Sequence, residues 1–128
     1  MIAPAALLAT AALAAAQPSG SEPQGVLAAR PPAPARVQVV ATEFELALSR
    51  QSVKSGRVIV QLVNYGEDPH DLRVRRIATR ALTFRTPEVL PERLADLNVR
   101  LGPGRYRLWC SIADHRARGM RAVLTVKQ

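Results

Sequence analysis

The sequence predicts an all-β fold, a two-sheet Greek-key β-sandwich of seven or eight short strands. From residue 36 onward, β-branched and other apolar residues occur in short runs, several of which alternate with polar residues. Clusters of glycine, proline and asparagine separate these runs at intervals that are typical of sandwich turns. The chain has 128 residues and is 48% hydrophobic, which suffices for one modest core and predicts one domain without a second, catalytic one.

The predicted strands follow one another through residues 36–128. They occupy residues 37–41, 44–48, 58–63, 70–77, 97–101, 106–110 and 121–126. Turns are predicted at residues 55–56, 64–66 and 102–104, each of which contains glycine. In the strand at 106–110, we expect Tyr106 and Trp109 to be core aromatic residues.

Residues 70–77 alternate with the period of a strand that has one buried face. Leu72 and Val74 are expected to face the core. The residues expected on the opposite face are Asp71, Arg73 and Arg75. Residues 78–96 have a weaker pattern because Pro87 and Pro91 interrupt them, and a helical turn is predicted at residues 94–97.

The N-terminal segment has the composition of a leader. Residues 1–16 contain no charged side chain and end in three alanines, which predicts a secretory signal peptide cleaved near Ala16 and an exported, periplasmic protein. Residues 17–35 are rich in proline, alanine and glycine, and we interpret them as a disordered linker to a domain at residues 36–128. No membrane span is expected after cleavage. If the leader stays attached, it would tether the domain to a membrane.

The charge balance is strongly basic. Lysine and arginine number 18 against 10 acidic residues, a net charge of +8, which predicts partners with acidic docking surfaces. The densest group is Arg73, Arg75, Arg76 and Arg80, which we interpret as a solvated strand face. Only 4% of residues are aromatic and no basic helix is evident, so nucleic acid is not an expected partner. The protein is expected to be a monomer.

Residues 110–120 bring together the donors of a metal site. This stretch contains Cys110, His115 and Met120, and the chain has no other cysteine with which Cys110 could form a disulfide. A thiolate, an imidazole and a thioether are soft or borderline donors that suit copper, and a blue copper site uses two histidines, one cysteine and a weakly bound methionine. The second histidine can only be His70. The sequence therefore predicts one type 1 copper ion, with Cys110 and Met120 at strand ends and His115 at the tip of the loop between them.

The same residues give the chain a resemblance to a known family. Residues 36–128 resemble the cupredoxins, small blue copper proteins such as plastocyanin, azurin, amicyanin and auracyanin. The resemblance is carried by the strand and turn at residues 102–110, by the spacing Cys-x4-His-x4-Met and by Pro69-His70-Asp71-Leu72. It implies that His70, Cys110 and His115 are equatorial ligands and that Met120 is axial. It also implies single-electron transfer between redox proteins, through the exposed edge of His115, and no enzymatic activity.

The chain departs from the family pattern at several positions around the ligands. Asp71 stands where many relatives have asparagine, and Ala113-Asp114 where many have Pro-Gly. Arg116 and Arg118 flank His115, where several relatives present an apolar surface. The residues expected to hydrogen-bond around the ligands are Asn64, Asp71 and Ser111.

Other functions compete with electron transfer. A periplasmic copper carrier or chaperone would use the same ligands to deliver metal to a partner. A multicopper enzyme is disfavoured because two histidines cannot build a further histidine-rich copper centre. A binuclear copper centre is disfavoured because it requires two cysteines.

Overall fold

The computed structural model describes residue 25, residues 28–78 and residues 80–128. The described residues contain nine strands and no helix: β1 Ala35–Thr42, β2 Glu45–Leu48, β3 Ser52–Lys54, β4 Gly56–Asn64, β5 Arg73–Arg76, β6 Thr83–Arg85, β7 Leu94–Leu101, β8 Gly104–Trp109 and β9 Arg121–Lys127. The predicted signal peptide at residues 1–16 and linker residues 17–24, 26 and 27 lie outside the described residues. Within the part of the chain that is described, no helix has the length and apolarity that crossing a membrane requires.

The nine strands form two sheets that pack face to face. The first sheet has the order β2-β1-β4-β7, and the second has the order β3-β9-β8-β5-β6. Both sheets are mixed, because β1 pairs with β4 and β3 pairs with β9 in parallel, whereas the other pairs are antiparallel. The chain passes repeatedly from one sheet to the other, as in Greek-key sandwiches. The predicted all-β sandwich is therefore confirmed, with nine strands where seven or eight were expected.

The core lies between the sheets and is built by alternating side chains. In β1 and β4, every second residue is buried, and Val39, Val60 and Leu62 have no exposed surface. On the second sheet, Leu72 and Val74 are also fully buried, as the alternation at residues 70–77 predicts. Because the alternation has a period of two, it fixes which face of each strand turns inward.

The predicted helical turn at residues 94–97 is wrong. These residues begin β7, which pairs with β4 along its whole length. Ala95, Leu97 and Val99 pack against the core at alternate positions, and a helix would have turned one of them away. Pairing with the long apolar strand β4 holds residues 94–97 in an extended conformation. The sequence of residues 94–97 alone does not reveal this pairing.

Two strands were missed and one is shorter than predicted. β3 and β6 have three residues each and lie at the two edges of the second sheet, where few contacts are needed and the sequence signal is weak. Of the predicted strand 70–77, only Arg73–Arg76 is regular. His70 instead forms an isolated bridge with Val89, so the irregular stretch at residues 78–96 supports the candidate site.

Candidate metal centre

Strands β8 and β9 bring the two ends of the 110–120 loop together. Tyr106 and Leu108 face inward, and the same alternation turns Cys110 inward at the end of β8. Met120 continues the inward row of β9 in the same way, and it is fully buried. The Cys110 N–H donates to the Met120 carbonyl at 3.1 Å, which closes the base of the loop.

The loop itself is a series of turns that hold His115 in place. The His115 N–H donates to the Ile112 carbonyl, and the Met120 N–H donates to the His115 carbonyl, both at 3.1 Å. Gly119 has a φ of 125°, and a Cβ at this position would lie 3.1 Å from the Phe44 carbonyl oxygen. Glycine is therefore required where the loop passes the first sheet.

His70 reaches the site from the other side of the sandwich end. Its N–H donates to the Val89 carbonyl at 3.0 Å, and the Val89 N–H donates back at 2.7 Å. Asn64 is fully buried, and its Nδ2 donates to the carbonyls of Asp68 and Val89. Its Oδ1 accepts from the Gly66 N–H. Asn64 thus braces the segment that leads to His70, and none of its side-chain hydrogen bonds goes to a candidate ligand.

Three of the predicted ligands meet in a buried cluster. The Cys110 Sγ lies 3.9 Å from His70 Nδ1 and 3.7 Å from His115 Nδ1. The potential ligand atoms all lie within 4.8 Å of one another. A metal ion bound to nitrogen at about 2.0 Å and to sulfur at about 2.3 Å, with a trigonal angle between the two bonds, would hold nitrogen and sulfur about 3.7 Å apart. The three donors therefore fit a single metal ion, and the buried Met120 adjoins them through its backbone bonds to Cys110 and His115.

The surroundings of the Cys110 sulfur suit a thiolate whose negative charge is balanced by a bound cation. Burial raises the pKa of the Cys110 thiol, while the N–H groups of Asp71 and Ile112 donate toward the sulfur and lower it. The charge of the Asp71 carboxylate raises this pKa further. A bound metal ion would stabilise the thiolate and release its proton, and the two N–H groups would then share the charge on sulfur.

Asp71 and Ser111 connect the two segments that carry the candidate ligands. The Asp71 Oδ1 accepts from the Ser111 N–H at 2.6 Å, and its Oδ2 accepts from the Ser111 hydroxyl. Arg73 Nε donates to Asp71 Oδ2 at 3.2 Å and to Ser111 Oγ at 3.1 Å. Alternation places Asp71 on the face opposite Leu72 and Val74, yet it is only 5% exposed because its carboxylate is bound to the loop through Ser111.

Glu43 is a contact of the site that the sequence did not reveal. Its Oε1 lies 2.9 Å from His70 Nε2, opposite the nitrogen that faces the sulfur. The carboxylate also accepts from the N–H groups of Glu67 and Asp68. A Cβ on Gly66 would collide with this carboxylate, so a larger residue there would displace Glu43 from its contacts. With Nε2 as the donor to this carboxylate, Nδ1 would carry no proton and would be free to bind a metal ion.

His115 is covered rather than exposed. Only 6% of its surface is accessible, so the exposed edge of the ring is smaller than expected. The Phe44 ring lies 5.0 Å from its ring, between centroids, and the Arg118 guanidinium stacks over Phe44 at 4.7 Å. Asp68 Oδ2 lies 3.7 Å from His115 Nε2. Residues from the first sheet and the 66–68 turn therefore close over the loop, which no local pattern indicates.

Trp109 also differs from its predicted core position. Its ring is only partly buried, and the Arg116 guanidinium lies 4.9 Å from the ring centroid. Tyr106 is 4% exposed, as a core aromatic residue should be. Trp109 lies one position out of the inward row of β8, so it faces outward while Tyr106 faces the core.

Comparison with solved structures identifies the architecture. An auracyanin from Roseiflexus castenholzii matches at 17% identity over 76% of this chain and 100% of its own, with a TM-score of 0.61. Auracyanin A, a "blue" copper protein from Chloroflexus aurantiacus, matches at 10% identity over 74% of this chain and 100% of its own, with a TM-score of 0.60. The chain has the cupredoxin fold. A multicopper oxidase matches at 18% identity over 77% of this chain and 46% of its own, with a TM-score of 0.57.

These likenesses confirm the resemblance to cupredoxins at the level of the fold. No protein-family model matches the sequence, and no curated protein matches it. At identities of 10–18%, these matches show the architecture alone.

The Glu43 contact predicts an acid dependence of stability. Hydrogen bonds from the N–H groups of Asp68 and Glu67, together with His70, lower the pKa of Glu43 from 4.5 to about 2. A lowered pKa means that the carboxylate stabilises the fold above its ordinary pKa and that this contribution is lost as the pH falls from 4.5 toward 2. In denaturant unfolding of the metal-free protein, Glu43→Gln should therefore be less stable than the wild type at pH 6, and the difference should shrink by pH 2.5. A difference that stays constant over this range would contradict the assignment.

Proposed function

We propose that this protein is an exported single-electron carrier with one type 1 copper ion, bound by His70, Cys110 and His115 and, axially, by Met120. The observation that carries the proposal is the buried cluster of two imidazoles and one thiol whose ligand atoms lie within 4.8 Å. When bound, copper would supply the one-electron chemistry by cycling between Cu(I) and Cu(II). The auracyanin A match, described as a blue copper protein, supports this proposal.

The chain's own contribution is to hold the donors in fixed positions. Cys110 and Met120 are joined by a backbone hydrogen bond at the ends of paired strands, and His70 is held by its two bonds to Val89. Asp71 then ties the His70 segment to Ser111. Ligands that move little between oxidation states keep the reorganisation energy low, which is what rapid electron transfer requires.

The proposed route for electrons is inferred from how deeply each candidate ligand is buried. Cys110 and His70 have no accessible surface, whereas His115 retains 6%. His115 is therefore the candidate ligand nearest to a partner, and Phe44 provides an aromatic contact at its edge. The proposed route runs through the His115 ring and the surface beside Phe44.

The burial of the donors favours electron transfer over copper delivery. A carrier that passes its metal to another protein must let the partner's ligands reach the ion. Here three of the four candidate ligands are inaccessible and the fourth is nearly so. An enzymatic centre would need further ligands, and the chain contains only two histidines and one cysteine. Export is proposed from the apolar residues 1–16 and from the lone thiol, which a metal would protect in an oxidising compartment.

Copper titration tests the proposed function. Adding one equivalent of Cu(II) to the purified protein should produce the intense absorption of a thiolate bound to Cu(II). One-electron reduction should bleach it, and reoxidation should restore it over many cycles. Absence of the absorption would refute the copper site. Reversible binding of copper with rapid release to an added chelator, and no electron exchange with a cytochrome, would favour the copper-carrier alternative instead.

A further inference from the structure

The five-stranded sheet carries an excess of positive charge that no acidic residues in its strands balance. Strands β5, β6, β8 and β9 contain seven arginines and one lysine, and no aspartate or glutamate. The four strands of the other sheet contain three arginines and two acidic residues. The positive charge is therefore concentrated on the five-stranded sheet. We name its outward surface the arginine face, which consists of Arg73, Arg75, Arg85, Arg105, Arg107 and Arg121.

The strand register places like charges directly beside one another on this face. Arg75 lies opposite Arg107, and Arg73 lies opposite Arg85. Side chains at directly opposite positions are near neighbours, so like charges there destabilise the sheet. Among the described residues, Arg73 is the one arginine of this face with a carboxylate partner, Asp71 at 3.2 Å. The other sheet has one such pair, Arg57 opposite Arg100, so the number of unbalanced arginines, and not opposition alone, distinguishes the arginine face and suits an anionic partner.

A cleft on the arginine face is lined in part by the sequence neighbours of two candidate ligands. It has a volume of about 520 Å³, and its lining includes Arg75, Arg107, Arg116 and Trp109. The Arg116 guanidinium lies 4.9 Å from the centroid of the Trp109 ring. Trp109 immediately precedes Cys110, and Arg116 immediately follows His115. A partner seated on the arginine face would therefore lie beside the proposed copper ligands.

We propose that the arginine face docks a carboxylate-rich surface of a protein partner. Guanidinium groups pair with carboxylates through two parallel hydrogen bonds, so rows of arginine suit aspartate and glutamate side chains. The docking site stands on charge and register alone. Only the identification of the partner as the electron donor or acceptor rests on the proposed function.

The chemistry of the face argues against two other polyanions. Single-stranded nucleic acid is bound on aromatic stacking platforms, but on this face Trp109 is already stacked against Arg116. An anionic membrane is bound by basic residues together with protruding apolar ones. The described strands of the face contribute Val123 opposite Arg107, and it is partly buried. The exposed apolar residues Ile77 and Leu82 lie beyond the strand ends, after β5 and before β6. Carboxylates on a folded protein satisfy the arginines without requiring either feature.

A binding experiment with a defined acidic probe tests the docking site. The full-length, metal-free protein is titrated with a peptide of eight glutamates, and binding is followed by NMR chemical shifts at low and high salt. The double variant Arg75→Gln/Arg107→Gln removes one directly opposed pair from the face. The matched control Arg57→Gln/Arg100→Gln removes two charges from the directly opposed pair on the other sheet. The first variant should weaken binding about tenfold and the control less than about twofold.

The outcomes separate the inference from its alternatives. Equal weakening in the two double variants would show attraction by net charge alone and would overturn the proposal. Tighter binding of duplex DNA, or of vesicles of anionic phospholipid, than of the acidic peptide would overturn it in favour of that ligand. Arg75→Gln/Arg107→Gln should also melt no lower than the wild type, because a repulsive pair is removed. The probe needs no copper, so failure here leaves the proposed function standing, and failure of copper binding leaves this result standing.

Discussion

Replacing Cys110 with alanine is expected to abolish the absorption that Cu(II) produces in the wild-type protein. The Cys110 Sγ is the atom that both imidazole Nδ1 atoms face, at 3.7 and 3.9 Å. Its removal deletes the only thiolate in the chain, and the absorption depends on electron transfer from thiolate to copper. The measurement is the visible spectrum of the variant after addition of Cu(II), with the far-UV circular dichroism spectrum as a check that the sandwich still folds.

Met120→Gln provides the contrasting variant for this experiment. An axial ligand bonds weakly, so this substitution should keep the thiolate absorption. It should also lower the reduction potential, since an amide oxygen favours Cu(II) more than a thioether does. Voltammetry of the loaded proteins measures the shift. Full absorption in Cys110→Ala, or loss of copper from Met120→Gln as complete as that from Cys110→Ala, would contradict the proposed roles of the two residues.

Replacing Asp71 with alanine is expected to destabilise the metal-free protein by about 1–3 kcal/mol, because hydrogen bonds to a charged, buried acceptor are lost. The Asp71 carboxylate accepts from the N–H and the hydroxyl of Ser111 and also receives Arg73. Without it, the segments that carry His70 and Cys110 lose their side-chain connection. The free energy of unfolding, measured in urea at pH 7, checks the prediction.

Two variants control the Asp71 experiment. Asp71→Asn keeps an acceptor for the Ser111 N–H and should lose less stability than Asp71→Ala. Asp114→Asn also removes a carboxylate from an arginine, since Asp114 pairs with Arg118 at 2.8 Å. The side chains of Asp114 and Arg118 are both more than half exposed. Asp114→Asn should change stability little, since exposed ion pairs are screened by solvent. Equal losses in Asp71→Ala and Asp114→Asn would show that the connection to Ser111 has no structural role.

Much of the sandwich was predictable because its signal is local. Short β-branched runs at residues 37–41 and 58–63 identify β1 and β4, and alternation at residues 70–77 turns Leu72 and Val74 into the core. The errors lie where local signal is weak or ambiguous. β3 and β6 are too short to show a period, and residues 94–97 became a strand because β4 lies beside them.

The candidate ligands were predictable for a different reason. The chain has one cysteine and two histidines, so composition leaves no other choice of these donors. Their supporting contacts were not predictable. Glu43 is 27 residues from His70, and Val89 comes from the stretch with the weakest pattern. Contacts between such distant positions depend on how the sheets pack, which alternation within one strand does not specify.

The sequence by itself determined the β class of the fold and most of its strands, the identity of the donors and the net positive charge. The tertiary structure alone decided that His115 is covered by Phe44, that Asp71 turns inward to Ser111 and that arginines of separate strands lie side by side. The physical reason is common to all three. Residue type and period set which side of a strand a group occupies, whereas its neighbours across a sheet or between sheets are set by register and packing.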